Sequence, residues 1–289
     1  MHDLLIAPFA EFGFLRRALV GCLALSVSAP VLGVFLVLRR MSLTADVLAH
    51  GALPGLALAF LLAGLSAPAL WFGGLVAGLV VAVGAGALSR ATGGREDATL
   101  AALYLVALGA GVAMISMGGG GAADLSHILF GNVLGVDDAA LLLMAGVATV
   151  TLLVLAFAWR PLVLECFDPS FAAAVGARGG TWHLLFLGLV VLNLLAAFQA
   201  LGTLMAVGLM MLPAIAARHW AAEVAGMAYA AVGIALASSL AGILLSYHAD
   251  VPTGPAIVLV AGGAWAVSVL AGPVDGLLPR LLRRRHLAG

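Results

Sequence analysis

The sequence predicts an all-α, polytopic integral membrane protein with eight or nine transmembrane helices. Of its 289 residues, 64% are hydrophobic and only 9% are charged, which is more apolar surface than the core of one soluble domain can bury. The apolar residues fall into repeated runs of about 20, the length that crosses a bilayer core as a helix. Charged residues lie mainly between these runs, so most of the chain is expected to lie in lipid.

The apolar runs give the predicted helices in chain order. Each run ends near glycine, proline or a charged residue, and these residues set its bounds. The sixth run contains Asn193 and Gln199, which we expect to hydrogen-bond between helices. Almost no link separates the sixth and seventh runs, and Gly202, Gly208 and Pro213 interrupt that region, so a broken or re-entrant helix would reduce the count to eight. The runs are residues 18–38, 46–64, 67–88, 98–116, 139–158, 181–200, 202–217, 223–246 and 255–272.

The positions of the arginines predict the orientation. If nine runs alternate across the membrane, the arginines between them fall on one side, which the positive-inside rule assigns to the cytoplasm. Arg16 and Arg17, before the first run, are the exception. The other arginines in this pattern are Arg39, Arg40, Arg90, Arg95, Arg160, Arg178, Arg218 and the group from Arg280 to Arg285.

Composition also limits the partners and the domain organisation. The formal net charge is zero, so no nucleic-acid partner is expected. The connections between runs are too short to form a soluble domain. Residues 1–289 are therefore predicted to form a single transmembrane domain of the inner (plasma) membrane, in contact with lipid.

The sharpest polar motif lies at the start of the second run, where Asp46 and His50 are four residues apart. On a helix this spacing places both side chains on one face, one turn apart. A carboxylate and an imidazole suit a divalent ion such as Zn²⁺ or Mn²⁺, and ionisable groups at membrane depth are costly unless they line a water-filled path. Pro54 and Gly55 weaken the helix just beyond the pair, as expected beside a cavity. The alternative is that the two side chains only bond each other or cap a helix near the interface.

A second candidate metal pair, Asp124 and His127, lies on the predicted outer side. The three-residue spacing again places both side chains on one helical face. The alternative, which residue preferences favour, is that Asp124 or Ser126 caps the helix that follows.

A predicted cytoplasmic segment, residues 164–177, has the signals of a short helix. Asp168 is the expected N-cap, Pro169 the first helical residue and Gly176 the stop. Phe171 and the alanines after it lie outside the bilayer in the predicted topology, and an exposed apolar helix favours a partner protein. The alternative is a surface helix resting on the membrane.

Motifs for enzymatic chemistry are absent from the sequence. There is no G-x-x-x-x-G-K-[ST] phosphate loop, so any coupling to ATP must come from another subunit. There is also no G-x-S-x-G or H-E-x-x-H motif, and no catalytic residue is predicted.

Five motifs in this order resemble the permease subunits of zinc- and manganese-type ABC importers, and the resemblance runs over nearly the whole chain. The motifs are MSLTADVLAHGALPG (41–55), LFGNVL (129–134), FDPSFAAAVG (167–176), LMMLPAIAAR (209–218) and SYHADVPTG (246–254).

The resemblance implies a homodimeric permease with two cytoplasmic ATP-binding subunits and a periplasmic or extracellular metal-binding protein. It places Asp46 and His50 on the family's intramembrane metal-coordinating positions. It also implies that the family's ATPase docks on the segment that contains Phe167, Asp168, Pro169, Phe171 and Gly176.

These observations predict a transport subunit, not an enzyme, which moves a divalent metal by alternating access. Zinc is favoured and manganese comes next, as transported ions and not as permanently bound cofactors. An ABC permease for a metal chelate would not need Asp46 and His50. A proton-coupled secondary carrier would use the same pair as a proton relay. A membrane enzyme is the third alternative, but it lacks a motif.

Overall fold

Ten principal helices make up the described part of the chain. The computed structural model describes residue 9, residues 11–64, 66–93, 96–117 and 135–168, residue 171 and residues 179–279, and these residues contain no β-strand. The helices are α1 (Gly13–Leu38), α2 (Thr44–Gly51), α3 (Leu53–Ala63), α4 (Ala67–Thr92), α5 (Glu96–Met117), α6 (Asp138–Phe167), α7 (Gly179–Leu201), α8 (Thr203–Ala217), α9 (Val224–Ala249) and α10 (Thr253–Ala271).

Eight helical stretches in the described residues are long and apolar enough to cross a membrane, with α2 and α3 counted together. The remaining helix, α8, has only 15 residues. Near its start, Met205 lies beside Gly254, at the beginning of α10. Just past its end, Trp220 Nε1 donates a hydrogen bond of 2.8 Å to Ser268 Oγ, near the end of α10. Helix α8 therefore runs beside α10 along most of its length and in the same direction.

Two breaks that the sequence signals are visible in the structure. The predicted second run is divided at Ala52 into α2 and α3, and Pro54 lies in the first turn of α3. Proline has no N–H to donate to the carbonyl of His50, so the helical hydrogen-bond pattern is interrupted directly after the pair. The second break lies between α7 and α8 at Gly202, whose φ of 79° is a backbone conformation that glycine adopts readily.

Helix α1 packs against α6, α7, α8 and α9. At its middle, Ser28 Oγ donates to Asn193 Oδ1 of α7 at 2.8 Å. Asn193 Nδ2 in turn donates to Thr151 Oγ1 of α6 at 2.7 Å. The expected interhelical bonding of Asn193 is confirmed, and it joins three helices at one buried point. The side chain of Gln199 lies outside the described residues.

The crossing of α3 and α4 depends on two glycines. A Cβ on Gly55 would collide with the carbonyl oxygen of Gly73, and one on Gly73 would collide with that of Gly55. The two backbones are therefore in direct contact, an approach that larger residues at these positions would prevent.

Helix α6 is longer than predicted. The apolar run ends at 158 and the cytoplasmic helix was expected from 164, but α6 continues through Pro161 to Phe167. The last nine residues add about 14 Å at 1.5 Å per residue. Residues 164–167 are thus the end of the long helix, and Arg39 binds Glu165 there at 2.9 Å. This contact between distant parts of the chain stabilises the end of the helix, beyond Arg160 and Pro161.

Candidate functional site

The candidate metal pair lies on α2, an eight-residue helix packed on one side. Thr44, Ala45, Leu48 and Ala49 are buried, and α2 contacts α4, α5 and α7. Asp46 projects from the opposite side in the first turn, where an acidic group complements the helix dipole. The packing of the small and apolar residues therefore decides which way the polar pair points.

Asp46 and His50 form the one-turn arrangement that their spacing predicts. His50 Nδ1 lies 3.0 Å from the backbone oxygen of Asp46 and 3.5 Å from its Oδ1. A carbonyl oxygen only accepts hydrogen bonds, so Nδ1 must carry the proton. In the neutral imidazole the lone pair is then on Nε2, the state that a metal-binding histidine requires.

The pair occupies an open face of the chain. The side chain of Asp46 is 52% exposed and that of His50 is 31% exposed. Leu43, which directly precedes α2 and lies seven residues before His50, is 78% exposed. The described residues therefore leave the pair open to another molecule, and the carboxylate keeps oxygen lone pairs for coordination.

One contact of the pair was missed by sequence reasoning. The ring of Tyr104, on α5, meets the His50 ring edge to face, with centroids 5.9 Å apart and planes at 78°. Tyr104 lies within an apolar run 54 positions further along the chain. Nothing in local spacing connects the two residues, and the only signal was an aromatic residue with a polar tip inside a membrane helix.

Within the described ranges, no group of three or more His, Cys, Asp or Glu side chains is placed to hold a metal ion. Among these residues, the predicted pair of Asp46 and His50 is thus not joined by a third side chain of these types. The second predicted pair, Asp124 and His127, lies outside the described residues.

The part of the predicted cytoplasmic segment that follows α6 begins at Asp168. Asp168 Oδ1 accepts a hydrogen bond of 2.8 Å from the backbone N–H of Phe171, which is the bond that an N-cap makes. Phe167 and Phe171 are 66% and 52% exposed. Two apolar rings thus lie on the surface next to the cap. Pro169 and Gly176 lie outside the described residues.

Known proteins are similar to this chain over most of its length. A family model described as the ABC 3 transport family matches residues 11–272. The manganese transport system membrane protein MntC of Halalkalibacterium halodurans is 31% identical over 96% of this chain and 93% of its own. A probable iron transport system membrane protein of Haemophilus influenzae is 31% identical over 93% of this chain and 97% of its own. Among solved structures, PsaBC from Streptococcus pneumoniae in complex with Fab matches with a TM-score of 0.84 and 29% identity, over 99% of this chain and 100% of that one.

Proposed function

The chain belongs to the ABC 3 transport family, and on that premise we propose that it is the membrane-spanning subunit of an ATP-driven importer of a divalent transition metal. It is a multi-pass plasma-membrane protein and a transport subunit, not an enzyme. ATP hydrolysis in such a system belongs to a separate subunit. The expected family membership and fold are therefore confirmed.

The observation that carries the metal proposal is the geometry of Asp46 and His50. The hydrogen bond from His50 Nδ1 to the Asp46 backbone leaves the lone pair of Nε2 to bind a metal ion, beside a half-exposed carboxylate. Oxygen and imidazole nitrogen together bind Zn²⁺, Mn²⁺ and Fe²⁺. Two ligands on an open face bind an ion without enclosing it, which suits a transported ion that must later be released.

We propose a second copy of the chain as the source of the missing ligands. The open face of α2 would then meet its equivalent across a two-fold axis, so that each copy contributes one Asp46 and one His50. A metal-binding protein docks on the outer face, and two ATP-binding subunits dock on the cytoplasmic segment around Phe167 and Phe171. Alternating access moves the ion inward as these subunits close.

The identity of the ion belongs to the proposal. The ligand chemistry favoured zinc and then manganese, whereas the relatives are named for manganese and iron. A relative from Yersinia pestis is named for chelated iron. A chelate would carry its own ligands, so its transport would not require the side chains of Asp46 and His50.

The test is ATP-dependent uptake of radiolabelled Mn²⁺, Fe²⁺ and Zn²⁺, measured separately in vesicles that contain the permease and its partner subunits. Asp46→Ala and His50→Ala should each lower uptake of the transported ion at least about tenfold, since disturbing even outer-shell contacts of a metal site costs that much. Asp250→Asn is a matched control, because Asp250 has φ 57° and asparagine tolerates that conformation.

The outcomes separate the candidates. Unchanged uptake of all three ions in both alanine variants would contradict the proposed site. Loss of free-ion uptake with retained uptake of an iron chelate would favour the chelate permease. Uptake that follows a proton gradient and continues without ATP would favour the secondary carrier.

A further inference from the structure

Arg39, at the cytoplasmic end of α1, contacts the ends of two other helices. Its Nη2 lies 2.9 Å from Glu165 Oε2, and its Nε donates to Cys166 Sγ at 3.3 Å, both on α6. Its Nη1 lies 2.8 Å from His183 Nδ1, and its guanidinium lies 4.7 Å from the ring centre of Phe186, both on α7. We call these five residues the Arg39 junction.

The junction fixes its own geometry. Side-chain exposure is only 8% for Arg39 and 15% for Glu165. An arginine donates hydrogen bonds and cannot accept them, so His183 Nδ1 must be the acceptor and must be unprotonated. Each of the three nitrogens of the Arg39 guanidinium has a partner. The planar group is therefore held in one orientation, unlike the flexible ammonium of a lysine. The ends of α6 and α7 are therefore tied to the end of α1 in one arrangement.

On one side, the junction adjoins the proposed docking segment. Glu165 and Cys166 belong to the last turn of α6, directly before exposed Phe167 and the cap that Asp168 forms with Phe171. A force on these exposed rings would therefore reach the guanidinium through one helical turn.

On the other side, a rigid turn connects the junction to α2. Arg40 has φ 59°, its N–H donates to the carbonyl of Val37 at 3.1 Å, and the N–H of Met41 donates to Leu36 at 2.9 Å. These are the two hydrogen bonds of a Schellman motif, here with arginine where glycine is usual. The N–H of Thr44 then donates to the carbonyl of Met41 at 3.0 Å.

This connection continues to the metal pair. Thr44 is the first residue of α2 and Asp46 lies in its first turn. Backbone hydrogen bonds thus hold the short connection between Arg39 and Asp46, so a displacement of Arg39 is expected to move Asp46. Contiguous networks of this kind carry coupling between sites.

We propose that Arg39 is the positioning residue that couples the ATPase-docking segment to the metal pair. A displacement of the end of α6 pulls on the guanidinium, which rotates the turn at Arg40 and shifts Asp46. The proposal rests on the proposed function, since it presupposes an ATPase on that segment and a metal on α2. A partly buried ion pair is by itself weak evidence for stability, and a coupling role gives these two charges a function.

The experiment measures metal uptake and ATP hydrolysis in the same vesicles, with the complete complex of permease, ATP-binding subunits and metal-binding protein. In Arg39→Gln, uptake should fall at least tenfold while ATP hydrolysis stays within about threefold of the parent, so that fewer ions are moved per ATP. Arg160→Gln is the matched control, because Arg160 is an exposed arginine of α6 that makes none of the junction contacts. This variant should move as many ions per ATP as the parent.

A second variant separates coupling from folding. Arg39→Gln leaves the partly buried Glu165 without this partner, which itself destabilises a protein, whereas replacement of both charges by apolar residues commonly restores stability. The double variant Arg39→Met with Glu165→Met should therefore melt near the parent temperature and still show the tenfold lower ratio of ions to ATP.

Two outcomes distinguish a failure of the coupling role from a failure of the proposed function. If the double variant moves as many ions per ATP as the parent, the coupling role of Arg39 is wrong and the proposed function stands. If the parent complex shows no ATP-dependent metal uptake, the proposed function is wrong and the coupling inference falls with it.

Discussion

Replacement of Asn193 by leucine tests the hydrogen bonds that join α7 to α1 and α6. Asn193 is 1% exposed. It accepts from Ser28 on α1 and donates to Thr151 on α6, and it also donates to the carbonyl of Leu189 on its own helix at 2.9 Å. Leucine has a similar shape but makes none of these bonds. The change therefore removes two interhelical hydrogen bonds with little loss of packing.

The expected cost follows from these two bonds. An interhelical hydrogen bond in a membrane protein contributes about 0.6 kcal/mol on average and up to about 1.7, so the two together give roughly 1–3 kcal/mol. A cost in the lower half of this range is expected. The Ser28 hydroxyl already lies 3.5 Å from the carbonyl of Leu25 on its own helix, so it can bond there once Asn193 is gone. Asn193→Asp should cost more, since a charge at the bilayer centre costs about 2.5–3.5 kcal/mol.

The assay is reversible unfolding in mixed micelles, followed by tryptophan fluorescence. Ser89→Ala is the control, because Ser89 is buried and bonds to Gly86 of its own helix at 3.3 Å; its free energy of unfolding should match the parent. A double-mutant cycle of Ser28→Ala with Asn193→Leu should give a coupling of about 0.6 kcal/mol. Coupling below about 0.3 kcal/mol, the usual scatter of additivity, would refute the stabilising role of the bond.

Two further predictions concern the surroundings of the metal pair. Gly55→Val should reduce the melting temperature and the yield of folded protein in detergent, because any Cβ on Gly55 collides with the backbone of Gly73. Gly64→Ala is the control, because a Cβ there would meet nothing within 4 Å, and its smaller loss shows the cost of a positive φ alone. Equal losses in the two variants would contradict the close crossing of α3 and α4. Tyr104→Ala should weaken metal binding by the detergent-solubilised protein, measured by isothermal titration, because it removes the ring that holds the His50 ring. Tyr104→Phe keeps the edge-to-face contact and should bind metal as the parent does. Weaker binding in both variants would show that the Tyr104 hydroxyl, and not the ring contact, supports metal binding.

Most of the helical architecture was predictable because hydrocarbon imposes one simple requirement. Each span must be a run of apolar residues that satisfies its own backbone, and such runs are visible without tertiary information. The prediction 255–272 became Thr253–Ala271, and 98–116 became Glu96–Met117. The interruption at Gly202 was also visible, because glycine is the residue that adopts its backbone conformation.

The end of α6 was not predictable by the same reasoning. Residues 160–167 begin with Arg160 and Pro161, and such a pair signals the end of an apolar run. In the structure, Arg39, more than 120 positions earlier, binds Glu165 and Cys166 and stabilises the continued helix. Periodicity within a window contains no information on such a partner, and the contact of Tyr104 with His50 was missed for the same reason.

For the predicted metal pair, the sequence indicates the geometry of the two side chains. It does not indicate what molecule lies against them. A spacing of four residues fixes that Asp46 and His50 share a helical face, and the structure places His50 Nδ1 3.5 Å from the Asp46 carboxylate. Whether that face meets lipid, water or another chain depends on packing between molecules, on which a single sequence is silent. A half-exposed carboxylate facing hydrocarbon would be costly, whereas the same carboxylate opposite its equivalent in a second copy would share a cation that offsets the repulsion between the two charges. A second copy of the chain, as proposed above, would therefore account for the exposure of the pair. Metal binding by such a dimer, compared with binding by the isolated chain, is the measurement that tests a shared site.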